Sequence, residues 1–269
     1  YIRDLHWTDI RAVAIMCRMK CLLLGAGYAT RLYPLTKDRP KPLLPIAGVP
    51  MLQRIVEQVN QVPEIDRIYV VTNHRFAGAY YNWLRDYTLQ KQSLPTPIEI
   101  FDDLTTNNDN RLGAIGDMDF VVRNAEIDDD LLVISGDNLF DFPLENFLAF
   151  ARKQKSSAIC LHDLKSRELV SLYGVVETDE TNKVVDFEEK PAKPRSSLIS
   201  MGVYLFAREH MSLLKKYLEE GNNADRPGNY VEWLYRQVSL FGYVISGRWF
   251  DIGDIDSYNK ANELFLEKR

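Results

Sequence analysis

Residues 22–48 read LLLGAGYATRLYPLTKDRPKPLLPIAG, and the fold turns on how the first six are understood. Leu22, Leu23 and Leu24 are apolar at consecutive positions, as a strand buried on both faces of a sheet requires. Gly25 and Gly27 follow at the strand's C-terminal end, where glycine lets backbone N–H groups approach a phosphate or a base without a side chain in the way. Outward from this stretch, strand-like and helix-like segments alternate. MLQRIVEQVNQV (51–62) reads as helix, RIYVVTN (67–73) as strand and GAYYNWLRDYTL (78–89) as helix. IEIFDD (98–103) and LLVISGDN (131–138) read as further strands. Strands alternating with helices at this spacing predict βαβ units and an α/β, doubly wound, mostly parallel sheet.

The rhythm changes after residue 155. SAICLHD (157–163), YGVVETD (173–179), KVVDFEEKP (183–191) and SMGVYLF (200–206) are strands with little helix between them, which predicts a mixed or antiparallel extension. VVETDETNKVVDF reads as a hairpin with a polar turn. Helical patterns return at 208–220, 229–238 and 254–268. No repeat and no long linker divides the chain, so one domain with a substrate-side elaboration is expected.

Composition bounds the function. The 269 residues are 46% hydrophobic and 26% charged with a net charge of −5, ordinary for a globular protein and opposed to broad nucleic-acid binding, which needs a basic footprint. No apolar run reaches the roughly 18–20 residues of a membrane span. Cys17, Cys21 and Cys160 form neither a CxxC pair nor a cluster with histidine, and read as free thiols of a reducing cytoplasm. Residues 1–18 lack the apolar core and cleavage site of a signal peptide; they read as an N-terminal extension, with Met19 the natural start of the domain.

The glycine loop fits neither common phosphate motif. A dinucleotide fingerprint needs a third glycine and a helix, but Thr30 stands at that position and Pro34 follows, where a helix cannot run on. The ATPase loop needs Gly-Lys-Ser/Thr, which is absent. What remains is Arg31, a fork of phosphate donors, and Lys41 on a segment stiffened by Pro34, Pro40, Pro42, Pro45 and Pro50. Two carboxylates stand at other informative places. Asp137 follows the strand LLVIS, where open α/β sheets bind ligands. Asp251 lies in WFDIG, where capping the last helix is its plain alternative, although Asp254 or Asp256 could do that.

GAGYATRLYPLT and PKPLLPIAGVP resemble the glycine-rich loop and the following segment of the sugar-1-phosphate nucleotidylyltransferases, with Ala29 where that family usually has glycine. GDN (136–138), EEKP (188–191) and WFDIGD (249–254) follow in the family's order, so the resemblance runs from about Met19 to Asn262. It implies a mixed, Rossmann-like sheet of the glycosyltransferase-A kind with a smaller β-rich, sugar-binding elaboration. It places nucleotide binding at about 19–155, sugar-phosphate binding at about 156–250 and a C-terminal helix at about 254–268, within one nucleotidyltransferase domain over 19–269. By the same resemblance, Leu24, Gly25, Ala26, Gly27, Asn108 and Gly113 bind the nucleotide. Asn108 stands in for the family's glutamine through the same amide donor and acceptor. Asn138, Gly174, Glu189, Lys190 and Gly202 meet the sugar phosphate, Arg31, Lys41 and Lys190 are catalytic, and Asp137 and Asp251 hold Mg2+. The polar stretch Thr105–Asn110 reads as a mobile loop that orders on nucleotide binding. The implied reaction joins a nucleoside triphosphate to a sugar 1-phosphate, with base and acceptor left open. Its alternatives are a cytidylyltransferase acting on phosphocholine or a similar phosphate, and a non-catalytic nucleotide-sugar sensor. Such proteins commonly form dimers or tetramers, so a homo-oligomer is expected on resemblance alone.

Overall fold

The computed structural model describes residues 18–164 and 166–266. Of the expected N-terminal extension only Arg18 falls within these residues, and Cys17 lies outside them. In chain order the strands are β1 (Met19–Leu24), β2 (Pro45–Ile46), β3 (Val49–Pro50), β4 (Ile65–Thr72), β5 (Ile98–Asp102), β6 (Asp130–Ser135) and β7 (Asn138–Phe140), then β8 (Ala158–Asp163), β9 (Gly174–Thr178), β10 (Val184–Glu189), β11 (Leu198–Phe206), β12 (Phe241–Val244) and β13 (Trp249–Asp251). The helices are α1 (Met51–Val59), α2 (His74–Lys91), α3 (Ala114–Asn124), α4 (Leu144–Gln154), α5 (Arg167–Val170), α6 (Ser212–Glu219), α7 (Pro227–Leu234) and α8 (Ile255–Leu266).

β5, β4, β1 and β6 lie side by side and run parallel. The chain moves outward from β1 to β5 and returns to β6 on the other side of β1, which makes a topological switch point above the β1 and β6 carboxyl ends. β11 then joins β6 antiparallel and carries β8 and β9 in the same sense. β9 and β10 form the expected hairpin, whose turn is held by Asp179 accepting from the backbone of Thr181 and Lys183. The mixed, doubly wound α/β reading therefore holds, with the antiparallel extension where the helical rhythm stops.

Apolar residues cover both sheet faces. Helices α1, α2 and α4 pack on one face through Leu52, Ile55, Tyr80, Trp83, Phe147 and Leu148. Helices α3, α6 and α7 pack on the other through Ile115, Met118, Leu214, Tyr217, Tyr230 and Val231. A third cluster sets Leu32, Leu44, Ile46 and Met51 against Leu139, Ile252 and Ala261, so the proline-rich segment is pinned under α8. Tyr258 Oη donates to the Pro45 carbonyl at 2.8 Å, and Ala47 N donates to Asn262 Oδ1 at 2.9 Å. Cys21 and Cys160 are buried free thiols, both pushed well up by burial. Among the described residues no helix is long and apolar enough to cross a membrane.

Candidate active site

The site grows from the two strand ends at the switch point. Gly25 N donates to the Val71 carbonyl at 2.9 Å and Gly136 N to the Leu24 carbonyl at 2.8 Å, so the backbone after β1 and after β6 continues the sheet before turning away. Between these turns lies a cavity of about 300 Å³, lined by Leu24, Gly25, Ala26, Gly27, Arg31 and Lys41, and across from them by Asn108, Gly113 and Asp137. Arg31 sits in a 3-10 turn, Thr30–Leu32, and Lys41 in a second, Lys41–Leu43. Larger surface grooves elsewhere carry none of these residues.

Ala29 lies before the first turn at φ 46°, ψ 43°. This left-handed backbone explains why glycine suits the position, since a Cβ there costs about 1 kcal/mol. Tyr80 Oη, buried within the sheet face, donates to the Gly25 carbonyl at 2.9 Å, and Asn73 donates to the Ala26 carbonyl at 2.7 Å. The loop's carbonyls are thus tied back, and its edge faces the cavity.

Lys41 is buried, and its ammonium donates to Asp137 Oδ2 at 2.6 Å. Burial opposes ionisation of Asp137, but the Lys41 charge and hydrogen bond outweigh it and hold the carboxyl below its ordinary range. Asp251 behaves oppositely: burial and then the Asp137 charge push it up. β13 pairs with β7 so that Asp251 faces Asn138, the residue after Asp137. That pairing brings the two carboxylates near enough for the Asp137 charge to act on Asp251 across 114 positions of sequence. Helix capping falls instead to Asp254, whose Oδ1 accepts from Ser257 N at 2.8 Å. Two hard oxygen donors, one raised by the charge of the other, suit a cation such as Mg2+, which needs only one or two carboxylates beside substrate phosphates. Among the described residues no group of three or more metal-binding side chains occurs.

Of the residues expected to meet the sugar phosphate, Gly174, Glu189, Lys190 and Gly202 lie on or beside the antiparallel strands, and none of them lines the cavity. Lys190 adopts φ 55° before Pro191, a strained backbone of the sort that gathers at functional sites, and its N–H donates to the Tyr173 carbonyl. Glu189 lies 3.9 Å from Arg226 in an ion pair, while burial raises its carboxyl despite Lys190 and Arg226. Gly174 opens β9 opposite Glu189. Gly202 has φ +74°, and a Cβ would come within 2.7 Å of Asn138 Nδ2 and 2.8 Å of Ser135 Oγ; glycine is required there for packing. Asn138 differs from expectation. Its Nδ2 donates to the Met201 carbonyl at 2.6 Å and its Oδ1 accepts from Trp249 Nε1 at 3.1 Å. The amide assigned to sugar phosphate is committed to the framework.

The loop after β5 also differs. Asn107 accepts from the N–H groups of Asp109 and Asn110, and Asn110 Oδ1 accepts from Thr106 and Asn107. The asparagines build a 3-10 turn, Asn108–Asn110, within the stretch expected to be mobile. Gly113, at φ +78°, caps α3 where a Cβ would lie 2.5 Å from the Ala224 carbonyl oxygen. The first α3 amides, Ala114 and Ile115, donate to the carbonyls of Asp225 and Ala224. Sequence reasoning missed Tyr28, Arg111, Asp117 and Asp225 on the cavity wall, and Tyr173, which hydrogen-bonds Asp251. Arg111 pairs with Asp225 across 114 positions, a separation no local pattern reports.

Fold and crevice define a doubly wound α/β protein with a basic, carboxylate-bearing site at its switch point. A family model described as nucleotidyl transferase matches residues 20–268, and the chain belongs to that family. It is 28% identical over 250 residues to a bifunctional GlmU protein of Methanocaldococcus jannaschii, covering 93% of this chain and 55% of the relative. It is 30% identical over 250 residues to a UTP–glucose-1-phosphate uridylyltransferase of a Synechocystis strain, covering 90% of this chain and 62% of the relative. The chain thus spans a little over half the length of these relatives. A UDP-glucose pyrophosphorylase solved with UDP-glucose shares the fold, with TM-score 0.78 at 22% identity over 94% of this chain and 100% of that one. A Bacillus anthracis structure assigned as a glucose-1-phosphate thymidylyltransferase aligns with TM-score 0.73 at 25% identity, covering 91% and 94%. The resemblance carried by GAGYATRLYPLT, GDN, EEKP and WFDIGD is borne out at the level of the family.

Proposed function

We propose that this chain transfers a nucleotidyl group from a nucleoside triphosphate to a sugar 1-phosphate, releasing pyrophosphate. The observation that carries the reading is one cavity at the switch point where Gly25, Gly27, Arg31, Lys41 and Asp137 meet. An oxygen of the acceptor's phosphate attacks the α-phosphorus, a new P–O bond forms, and the bond to the β-phosphate oxygen breaks with its electron pair leaving on pyrophosphate. The attacking oxygen is already ionised, so no general base is needed and catalysis rests on positioning and charge neutralisation. Arg31 meets the leaving pyrophosphate. Lys190 holds the acceptor phosphate from the strained end of β10. Lys41, paired with Asp137, exchanges that carboxylate for phosphate oxygen when the triphosphate enters. Asp137 and Asp251 would hold a magnesium ion, which supplies Lewis-acid neutralisation of phosphate charge when bound.

The test is pyrophosphate release from each nucleoside triphosphate against a panel of sugar 1-phosphates and phosphocholine, with magnesium. Turnover with at least one sugar 1-phosphate is the expected outcome. Turnover with phosphocholine alone would move the reading to a cytidylyltransferase, and none with any pair would favour the sensor. Asp137→Asn should lower kcat by about a hundredfold or more; an unchanged rate would refute its place as metal ligand.

A further inference from the structure

At the far wall of the same cavity Asp117 meets Asp103, which lies behind it, with no ion-pair partner for either among the described residues. Asp103 follows β5 and Asp117 stands one turn into α3; each is only 6% exposed, and Asp117 lines the cavity beside Gly113 and Ala114. Asp103 Oδ1 accepts from Thr105 N at 2.6 Å. Asp103 Oδ2 and Asp117 Oδ1 are fully buried and receive a hydrogen bond from no donor among the described residues. The two carboxyls lie close enough for the Asp103 charge to add to burial in pushing the Asp117 carboxyl up, which favours a proton shared between them. Arg111, the guanidinium on this wall, is engaged by Asp225 at 2.9 Å and by the Asn108 carbonyl at 2.7 Å.

A framework role does not account for this arrangement. Two adjacent buried acids with no ion-pair partner among the described residues carry a cost that a folded chain otherwise avoids by pairing or by substitution. Such costs persist where a ligand uses the group. The Asp117 carboxyl on this wall accepts hydrogen bonds and repels carbonyl oxygens. Uracil and thymine present carbonyl oxygens on both sides of a single N–H. Guanine, cytosine and adenine carry an exocyclic amino group whose N–H bonds such a wall can receive.

We infer that Asp117, held by Asp103, is a specificity-determining residue that selects a nucleoside triphosphate whose base bears an exocyclic amino group, against uracil and thymine. The inference rests on the nucleotidyl-transfer reading and adds the class of base. It sets this chain apart from the relatives named for uridine and thymidine substrates.

The test is calorimetric titration of the full chain with GTP, CTP, ATP, UTP and dTTP, each with magnesium and without acceptor, on the wild type, Asp117→Asn and Asp103→Asn. Thermal unfolding of each variant identifies any that fails to fold, and either variant alone suffices. The expected result is that the best-bound amino-bearing triphosphate binds at least tenfold tighter than UTP and dTTP, and that the variants narrow this ratio at least tenfold. Tightest binding of UTP or dTTP overturns the inference while leaving the nucleotidyl-transfer reading intact. So does a ratio unchanged in a folded variant, which would make the pair structural. Binding of no triphosphate overturns both.

Discussion

Ala29 and Asp117 show how single residues carry strain for the site. Ala29 holds a left-handed backbone at φ 46°, where glycine pays no steric penalty but frees the unfolded chain. Because the left-handed penalty is the larger of the two, Ala29→Gly should stabilise the protein by up to about 1 kcal/mol. Urea unfolding measures it, and a destabilised variant would mean that the Cβ packs usefully. Asp117 strains electrostatics instead: burial, and then the neighbouring Asp103, push its pKa up to about 8. The native state therefore keeps a proton that the unfolded chain releases near pH 4. Stability falls as pH rises between those values, since the native state binds more protons there. Asp117→Asn removes the dependence, so its stability relative to wild type should improve from pH 5 to pH 9 by on the order of 1–3 kcal/mol. Unfolding curves at the two values check it; parallel curves would refute the shared proton.

At the scale of elements, periodicity in the chain accounts for most of what was found. The apolar run of β1, the amphipathic α1 and the β9–β10 hairpin follow from local pattern because their burial repeats at intervals of two or 3.6 residues. Partnerships across the chain were not legible. Lys41 meets Asp137 across 96 positions, and neither residue signals the other; what could be read was only that each sits at the end of a strand or loop where ligands bind. Asp117 reads as an acid in a helix's first turn, where the helix dipole alone would explain it, and only packing reveals its proximity to Asp103. The clamp of α8 on the proline-rich segment is likewise invisible locally. It yields a test: Asn262→Ala leaves the Ala47 N–H without its acceptor and should lower stability by about 1 kcal/mol. It should also reduce kcat more than it raises KM for triphosphate, because the segment it anchors positions Lys41. Equal activity with lowered stability would confine α8 to a scaffold role.

Across the whole molecule, the parallel half carries the glycine loop and Asp137, and the residues proposed for the acceptor, Glu189 and Lys190, lie at the end of β10 on the antiparallel half. Asp251 arrives from near the C-terminal end, so the site depends on how three distant stretches are joined. Asn138 is the joint. It is 3% exposed, reaches β11 through the Met201 carbonyl, and holds β13 through Trp249 Nε1. Trp249 in turn stacks edge-on against Tyr173, ring centroids 5.3 Å apart, and Tyr173 hydrogen-bonds Asp251. Removing the amide therefore unsatisfies a buried carbonyl and an indole N–H at once, and frees β13 to shift relative to β7. Asn138→Ala should cost about 2–4 kcal/mol, one to two unmet buried groups. Asn138→Asp should be as damaging, because a carboxylate cannot donate to the Met201 carbonyl. If Asn138 acts only through this joint, loss of activity should be matched by weaker magnesium dependence at unchanged acceptor KM, since Asp251 is displaced while Lys190 is not. A rise in acceptor KM alone, with stability intact, would instead return Asn138 to direct contact with the sugar phosphate.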